Sequence, residues 1–118
     1  MTVVLLLLAH WVGDFAFQTS PMALNKSHSL KWLTIHTVVY SASILAFCIF
    51  LMPLDQVWIY VGVNFTLHFV TDFFTSKWAY MHRKTPRKFY PIIGLDQLLH
   101  TSALYLTLDL LEINMLLN

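Results

Sequence analysis

Residues 32–54, WLTIHTVVYSASILAFCIFLMPL, decide what kind of protein this is. From Trp32 to Leu54 the chain runs 23 positions without an acidic, lysine or arginine side chain, and His36 is its single histidine. At about 1.5 Å of rise per residue, a helix of that length crosses a hydrocarbon core of about 30 Å. Working outward, three more stretches are apolar but interrupted, roughly 1–17, 56–77 and 92–113, and the interruptions are His10, Asp14, His68, Asp72, Asp96 and His100. The overall composition agrees. Hydrophobic residues make up 58% of the 118 and charged residues 11%, whereas soluble domains carry roughly a quarter of their residues as charges.

The expectation is an all-α protein, an integral membrane four-helix bundle forming a single transmembrane domain over 1–118, with helices about 2–18, 29–52, 55–82 and 93–113. The first stretch lacks a basic leader and a small-residue cleavage site and carries an acid, so it reads as a retained helix rather than a signal sequence. Asn25, Ser27 or Ser29 is placed to cap the second helix, and Pro53 to end it. Pro86, Pro91 and Gly94 mark the loop before the fourth helix, whose outer end carries Asp109, Glu112 and Asn114.

All seven Lys and Arg side chains, Lys26, Lys31, Lys77, Arg83, Lys84, Arg87 and Lys88, fall between the first and second or the third and fourth apolar stretches. Basic loops stay on the cytoplasmic side of a membrane, which puts both termini outside and both basic loops in the cytoplasm. The net charge is only +1, so membrane lipids are the expected partners and nucleic acid is not. A chain this small admits a homo-oligomer. Cys48 is the only cysteine, so neither an intrachain disulfide nor a thiolate cluster is available.

The polar interruptions repeat. HWVGDF at 10–15 returns as HFVTDF at 68–73, and His36-Thr37 returns as His100-Thr101. Two crossings per half would give two tandem helical hairpins in a parallel repeat, although Asp96 in the second half corresponds to Trp32 in the first. Residues four apart on a helix lie about 40° apart around its axis, so His10/Asp14, His68/Asp72 and Asp96/His100 each share a face. With antiparallel neighbours these pairs and His36 fall in one layer near the basic loops.

An ionised Asp at the bilayer centre costs about 2.5–3.5 kcal/mol on insertion scales, so three of them need compensation. The chemistry that suits four imidazoles and three carboxylates is a divalent metal ion, Zn, Fe or Mn, one or two of them, with His10, Asp14, His36, His68, Asp72, Asp96 and His100 as candidate ligands. Asp14, Asp72 and Asp96 are the candidate catalytic carboxylates. Gln18, Asn64 and Gln97 are polar residues placed to orient ligands. Lys26, Arg83 and Lys84 are placed to hold an anionic substrate. Two other readings stay open: a proton or metal-ion relay, and polar glue between helices.

The stretches AHWVGDFAFQTSPMALNK (9–26), LHFVTDFFTSK (67–77) and GLDQLLHT (94–101) resemble the bacterial and phage membrane proteins catalogued as domain of unknown function 3307. The likeness spans nearly the whole chain. It implies a small helical membrane protein, found on phage and prophage genomes and seated in a bacterial inner membrane, in which His10, Asp14, Gln18, Lys26, His36, His68, Asp72, Asp96, Gln97 and His100 match the family's polar pattern. It brings no reaction with it. In fold style the pattern is similar to membrane-bound metal-dependent hydrolases, an analogy only. The function expected on these grounds is a metal-dependent hydrolase acting on an amphiphilic substrate, a lipid or isoprenoid phosphate, at the cytoplasmic leaflet. The alternatives are a metal-ion or proton transporter or channel module, and a phage membrane effector without catalysis.

Overall fold

The computed structural model describes residues 1–117, with side chains through residue 112. Asn114 therefore lies outside the described side chains. Five α-helices and one π turn account for the regular structure: α1 (Thr2–Trp11), the π turn Val12–Ala16, α2 (Ser20–Asn25), α3 (Leu30–Leu51), α4 (Leu54–His82) and α5 (Pro86–Leu117). Among the described residues there is no strand. The protein is all-α, and α3 and α4 are each long and apolar enough to cross a membrane.

Local chemistry accounts for the boundaries. Ser29 caps α3 by accepting from the Trp32 backbone N–H at 3.4 Å. Extended backbone at Met52 ends that helix, and Pro53 is the N-cap of α4. The stretch read as a loop between the first two helices contains a short helix, α2, with Pro21 in its first turn. The last helix starts at Pro86 instead of near 93. Proline at a first helical position gives up only an N–H that would be unpaired anyway. Pro91 and Gly94 sit inside the same helix, where Pro91 removes one backbone bond near its start.

The largest departure lies in the first helix. Trp11 is the last α-helical residue before five residues that wind as a π turn, closed by the Phe17 N–H on the Val12 carbonyl at 2.9 Å. The turn brings the backbone at Gly13 against α3. A Cβ on Gly13 would stand 3.0 Å from Tyr40 Cα and 3.1 Å from Ser43 Cβ.

The interior holds both a polar layer and an apolar cluster, and many large apolar side chains face outward. α4 packs against α3 and α5, and α3 also carries α1, the π turn and α2. His36, Asn64, His68, Asp72 and His100 are buried, while Phe50, Trp58, Phe74, Leu98 and Leu110 are exposed. One apolar cluster, built on Leu6, Tyr40, Ile44, Cys48, Val57 and Leu104, fills the interior beyond the polar layer. An added methyl group at Gly13 would meet backbone that cannot swing aside. Gly13→Ala is therefore expected to cost about 1–3 kcal/mol, read as a lower midpoint of thermal unfolding in detergent. Gly62→Ala, with nothing within 4 Å of its Cβ, is expected to leave that midpoint no lower.

Candidate metal centre

Each pair four residues apart begins as a helix face, and packing then brings the faces together. α4 supplies His68 and Asp72, α3 supplies His36, the π turn supplies Asp14, and α5 supplies Asp96, Gln97 and His100. The two halves of the chain make the same contact. Asp14 Oδ1 lies 3.1 Å from His36 Nε2, and Asp72 Oδ1 lies 3.1 Å from His100 Nε2.

At the centre four ligand atoms converge: Asp14 Oδ1, His36 Nε2, His68 Nε2 and Asp72 Oδ2, all within 4.8 Å of one another and all on buried residues. Five of the six edges are 3.1 Å (His36 to His68), 3.1 Å (His36 to Asp14), 3.2 Å (His36 to Asp72), 3.6 Å (His68 to Asp72) and 3.7 Å (His68 to Asp14). A tetrahedron of ligands at 2.0–2.1 Å from a central ion has an edge of about 3.3 Å, which those five distances bracket. The donor set of two imidazoles and two carboxylates fits a divalent cation.

Hydrogen bonding alone does not satisfy this group. A neutral imidazole nitrogen offers one proton or one lone pair, yet His36 Nε2 faces His68 Nε2, Asp14 Oδ1, Asp72 Oδ2 and, at 3.4 Å, Lys26 Nζ. Asp14 Oδ1 has no aligned donor although it is buried. His36 Nδ1 and His68 Nδ1 are also without partners, so the orientation of these rings comes from packing. His68 stacks between Tyr40, at a ring-centroid distance of 3.7 Å, and His100, at 4.1 Å.

A second group, Asp14, Asp96 and His100, also meets the distance requirement for an ion, but its atoms are already satisfied by protein. Asp96 Oδ1 accepts from the Thr75 hydroxyl. The Gln97 amide donates to Asp14 Oδ2 at 2.9 Å and Asp96 Oδ2 at 3.0 Å, and its oxygen accepts from His10 Nε2 at 2.8 Å. Reversing that amide would set its oxygen against two carboxylates, so the orientation follows from charge. His100 Nε2 stands between Asp72 Oδ1 and Asp96 Oδ1, at 3.1 and 3.3 Å.

These contacts redistribute the candidate residues of the sequence. His10 belongs to neither ligand group: its Nε2 lies 3.9 Å from Asp14 Oδ2 and spends its proton on Gln97. Asn64 donates to the Tyr60 carbonyl one turn back on its own helix. Gln18 has a buried oxygen without a partner and lines a cleft beside the layer. Lys84 is exposed and does not line that cleft. Thr75 joins the site without having stood among the candidates; its place three residues from Asp72 on the same face is the one sequence signal that points to it.

Lys26 reaches further than a loop lysine is expected to. Its Nζ donates to Asp72 Oδ2 at 2.8 Å. Burial works against the charge, but the Asp72 and Asp14 carboxylates outweigh it and hold the amine above its ordinary range. The cleft it lines has a volume of ≈ 450 Å³. Asp14, Gln18, Asp96 and Gln97 form its polar lining, Phe15, Leu24, Phe89 and Ile93 its apolar lining, and Arg83 is also present.

No curated protein and no solved structure matches the chain. A family described as "Protein of unknown function (DUF3307)" matches residues 2–116. That span is nearly the full chain, and the protein belongs to this family.

Proposed function

We propose that the chain is an integral membrane metalloprotein, a four-helix bundle that binds one divalent ion between Asp14, His36, His68 and Asp72 and hydrolyses an amphiphilic ester or phosphate at the cytoplasmic leaflet. The observation that carries this reading is the near-tetrahedral convergence of four buried ligand atoms beside a cleft with both polar and apolar lining. Zinc suits the edge lengths and the donor set; iron and manganese accept the same donors.

The membrane setting rests on where the apolar surface lies. An exposed exterior of Phe50, Trp58, Phe74, Leu98 and Leu110 around a polar interior is costly in water and favourable in lipid. The longest dimension, 50 Å, is enough to cross a bilayer of about 40–45 Å including its headgroups. The basic turns then lie on the cytoplasmic side, at the same end as the cleft.

An ion held here would supply Lewis acidity to the scissile group and acidify a water molecule, for which one of the four side chains would have to yield its place or the coordination widen to five. The rest of the chemistry belongs to side chains. Asp96 is outside the four-atom group and lines the cleft, so it is the carboxylate assigned to accept a proton, held in place by Thr75 and Gln97. Gln97 fixes Asp96 and Asp14 together, and Arg83 and Lys26 supply positive charge to an anionic head group. Leu24, Phe89 and Ile93 offer apolar surface to an acyl or isoprenyl chain.

Transport finds less support. A path through the bundle would need polar groups beyond the layer; there the hydroxyls of Ser43, Tyr60 and Thr107 donate to the carbonyls of Val39, Leu104 and Ala103, and Ser41 has a buried hydroxyl without a partner. The apolar cluster around Ile44, Val57 and Leu104 occupies that half of the interior.

Elemental analysis of protein purified without chelator tests the ion. Wild type is expected to carry close to one equivalent of Zn, Fe or Mn, and the His68→Ala/Asp72→Ala double variant less than a tenth of that; equal content in the two would remove the metalloprotein reading. Topology has its own test. Cysteines introduced at Ser27 and Thr85, in a Cys48→Ala background, are expected to react with an impermeant maleimide only when the cytoplasmic face is opened, and labelling of both in intact cells would invert the orientation.

A further inference from the structure

The ammonium of Lys26 stands where two sites meet. On one side its Nζ lies 2.8 Å from Asp72 Oδ2 and 3.4 Å from His36 Nε2, both atoms of the four-ligand group. On the other side the same residue lines the cleft together with Arg83. It follows α2 directly, at the C-cap of that helix, so its position is set by a short connection rather than by one of the long helices.

An ion entering this layer meets a definite balance of charge and lone pairs. Asp14, Asp72 and Asp96 bring three negative charges to the layer and Lys26 brings one positive charge. The ion and the ammonium compete for the same atoms. A His36 Nε2 lone pair directed at an ion is no longer open to Lys26, and Asp72 Oδ2 would lie between two cations. The amine is the movable member, because it sits on a flexible four-carbon stem, while three of the four ligands, His36, His68 and Asp72, sit on long helices. The direction open to it is the cleft, which Arg83 also lines.

We propose that Lys26 is a displaceable internal cation: a divalent ion entering the four-ligand group drives its ammonium into the cleft, where with Arg83 it binds the anionic head group of an amphiphile. The proposal rests on the ion reading above and adds a coupling to it. Ion and anionic head group each strengthen the binding of the other, because each takes one side of the same lysine, and linkage makes the effect reciprocal. A neutral amphiphile has no such effect.

Native mass spectrometry of the full chain in a neutral maltoside detergent reads both occupancies. Zn²⁺ is titrated with and without dodecyl phosphate. Wild type is expected to bind one Zn²⁺ about tenfold more tightly when dodecyl phosphate is present, and to retain about tenfold more dodecyl phosphate when Zn²⁺ is bound. Lys26→Gln is expected to bind Zn²⁺ more tightly than wild type without dodecyl phosphate, and to lose the coupling. Lys31→Gln, at an exposed position, is expected to behave as wild type. Zn²⁺ binding that is the same with and without dodecyl phosphate in wild type overturns the coupling while leaving the ion reading intact, and this arm needs no variant to fold. Zn²⁺ binding to neither wild type nor Lys26→Gln overturns the ion reading and the coupling with it.

Discussion

Two carboxylates and two imidazoles from separate parts of the chain point at one another across 3.1–3.7 Å inside the protein. Much of the architecture can be understood as the support for that convergence. Like-polarity atoms held this close repel unless positive charge lies among them, and burial makes an uncompensated carboxylate more costly still. The structure answers with neighbours of the right sign and hydrogen bonding: Lys26 on Asp72, Gln97 across Asp14 and Asp96, and Thr75 on Asp96. These partners leave Asp14 Oδ1 without an aligned donor, and the four converging side chains could hold a metal ion there.

The fold around this centre follows from where polarity can be tolerated. Side chains such as Leu98 and Leu110 turn outward while His36, His68, Asp72 and His100 turn inward, so the helices meet along their polar faces. Polar contact alone would leave the rest of the interior loose. The cluster of Leu6, Tyr40, Ile44, Cys48, Val57 and Leu104 continues the packing beyond the layer, and Tyr40 joins the two regions by stacking its ring on His68. Gly13 serves the same end from the other side. Its lack of a Cβ lets the π turn approach Tyr40 closely enough for Asp14 to reach His36.

Much of this is legible in the sequence, and the parts that are not have physical reasons. Helix type and the layer of histidines and aspartates follow from unbroken apolar length and spacing of four, both local properties. The fourth helix begins several residues earlier than proline and glycine suggest, because Pro86 occupies a first helical position and the helix continues past Pro91 and Gly94. His10 reads as the equal of His68, but its Nε2 is taken by Gln97 from α5, and little in HWVGDF distinguishes it from HFVTDF except Gly13. Gln97 carries no periodic signal that separates an amide joining three residues from an ordinary polar neighbour of Asp96.

The same π turn explains why two similar halves give one asymmetric site. Lys26 follows Asp14 by twelve residues, and Lys84 follows Asp72 by twelve. In the second half α4 continues without a break to His82 and carries Lys84 out to an exposed turn. In the first half the helix ends at the π turn, the chain folds back through α2 onto α3, and Lys26 is delivered to Asp72. Asp96, which stands where the first half has Trp32, adds a carboxylate to the cleft from the opposite side. The matched contacts, Asp14 with His36 and Asp72 with His100, build the centre, and the departures from symmetry build its approach. One lysine turned inward onto Asp72 and one left exposed set the two halves apart.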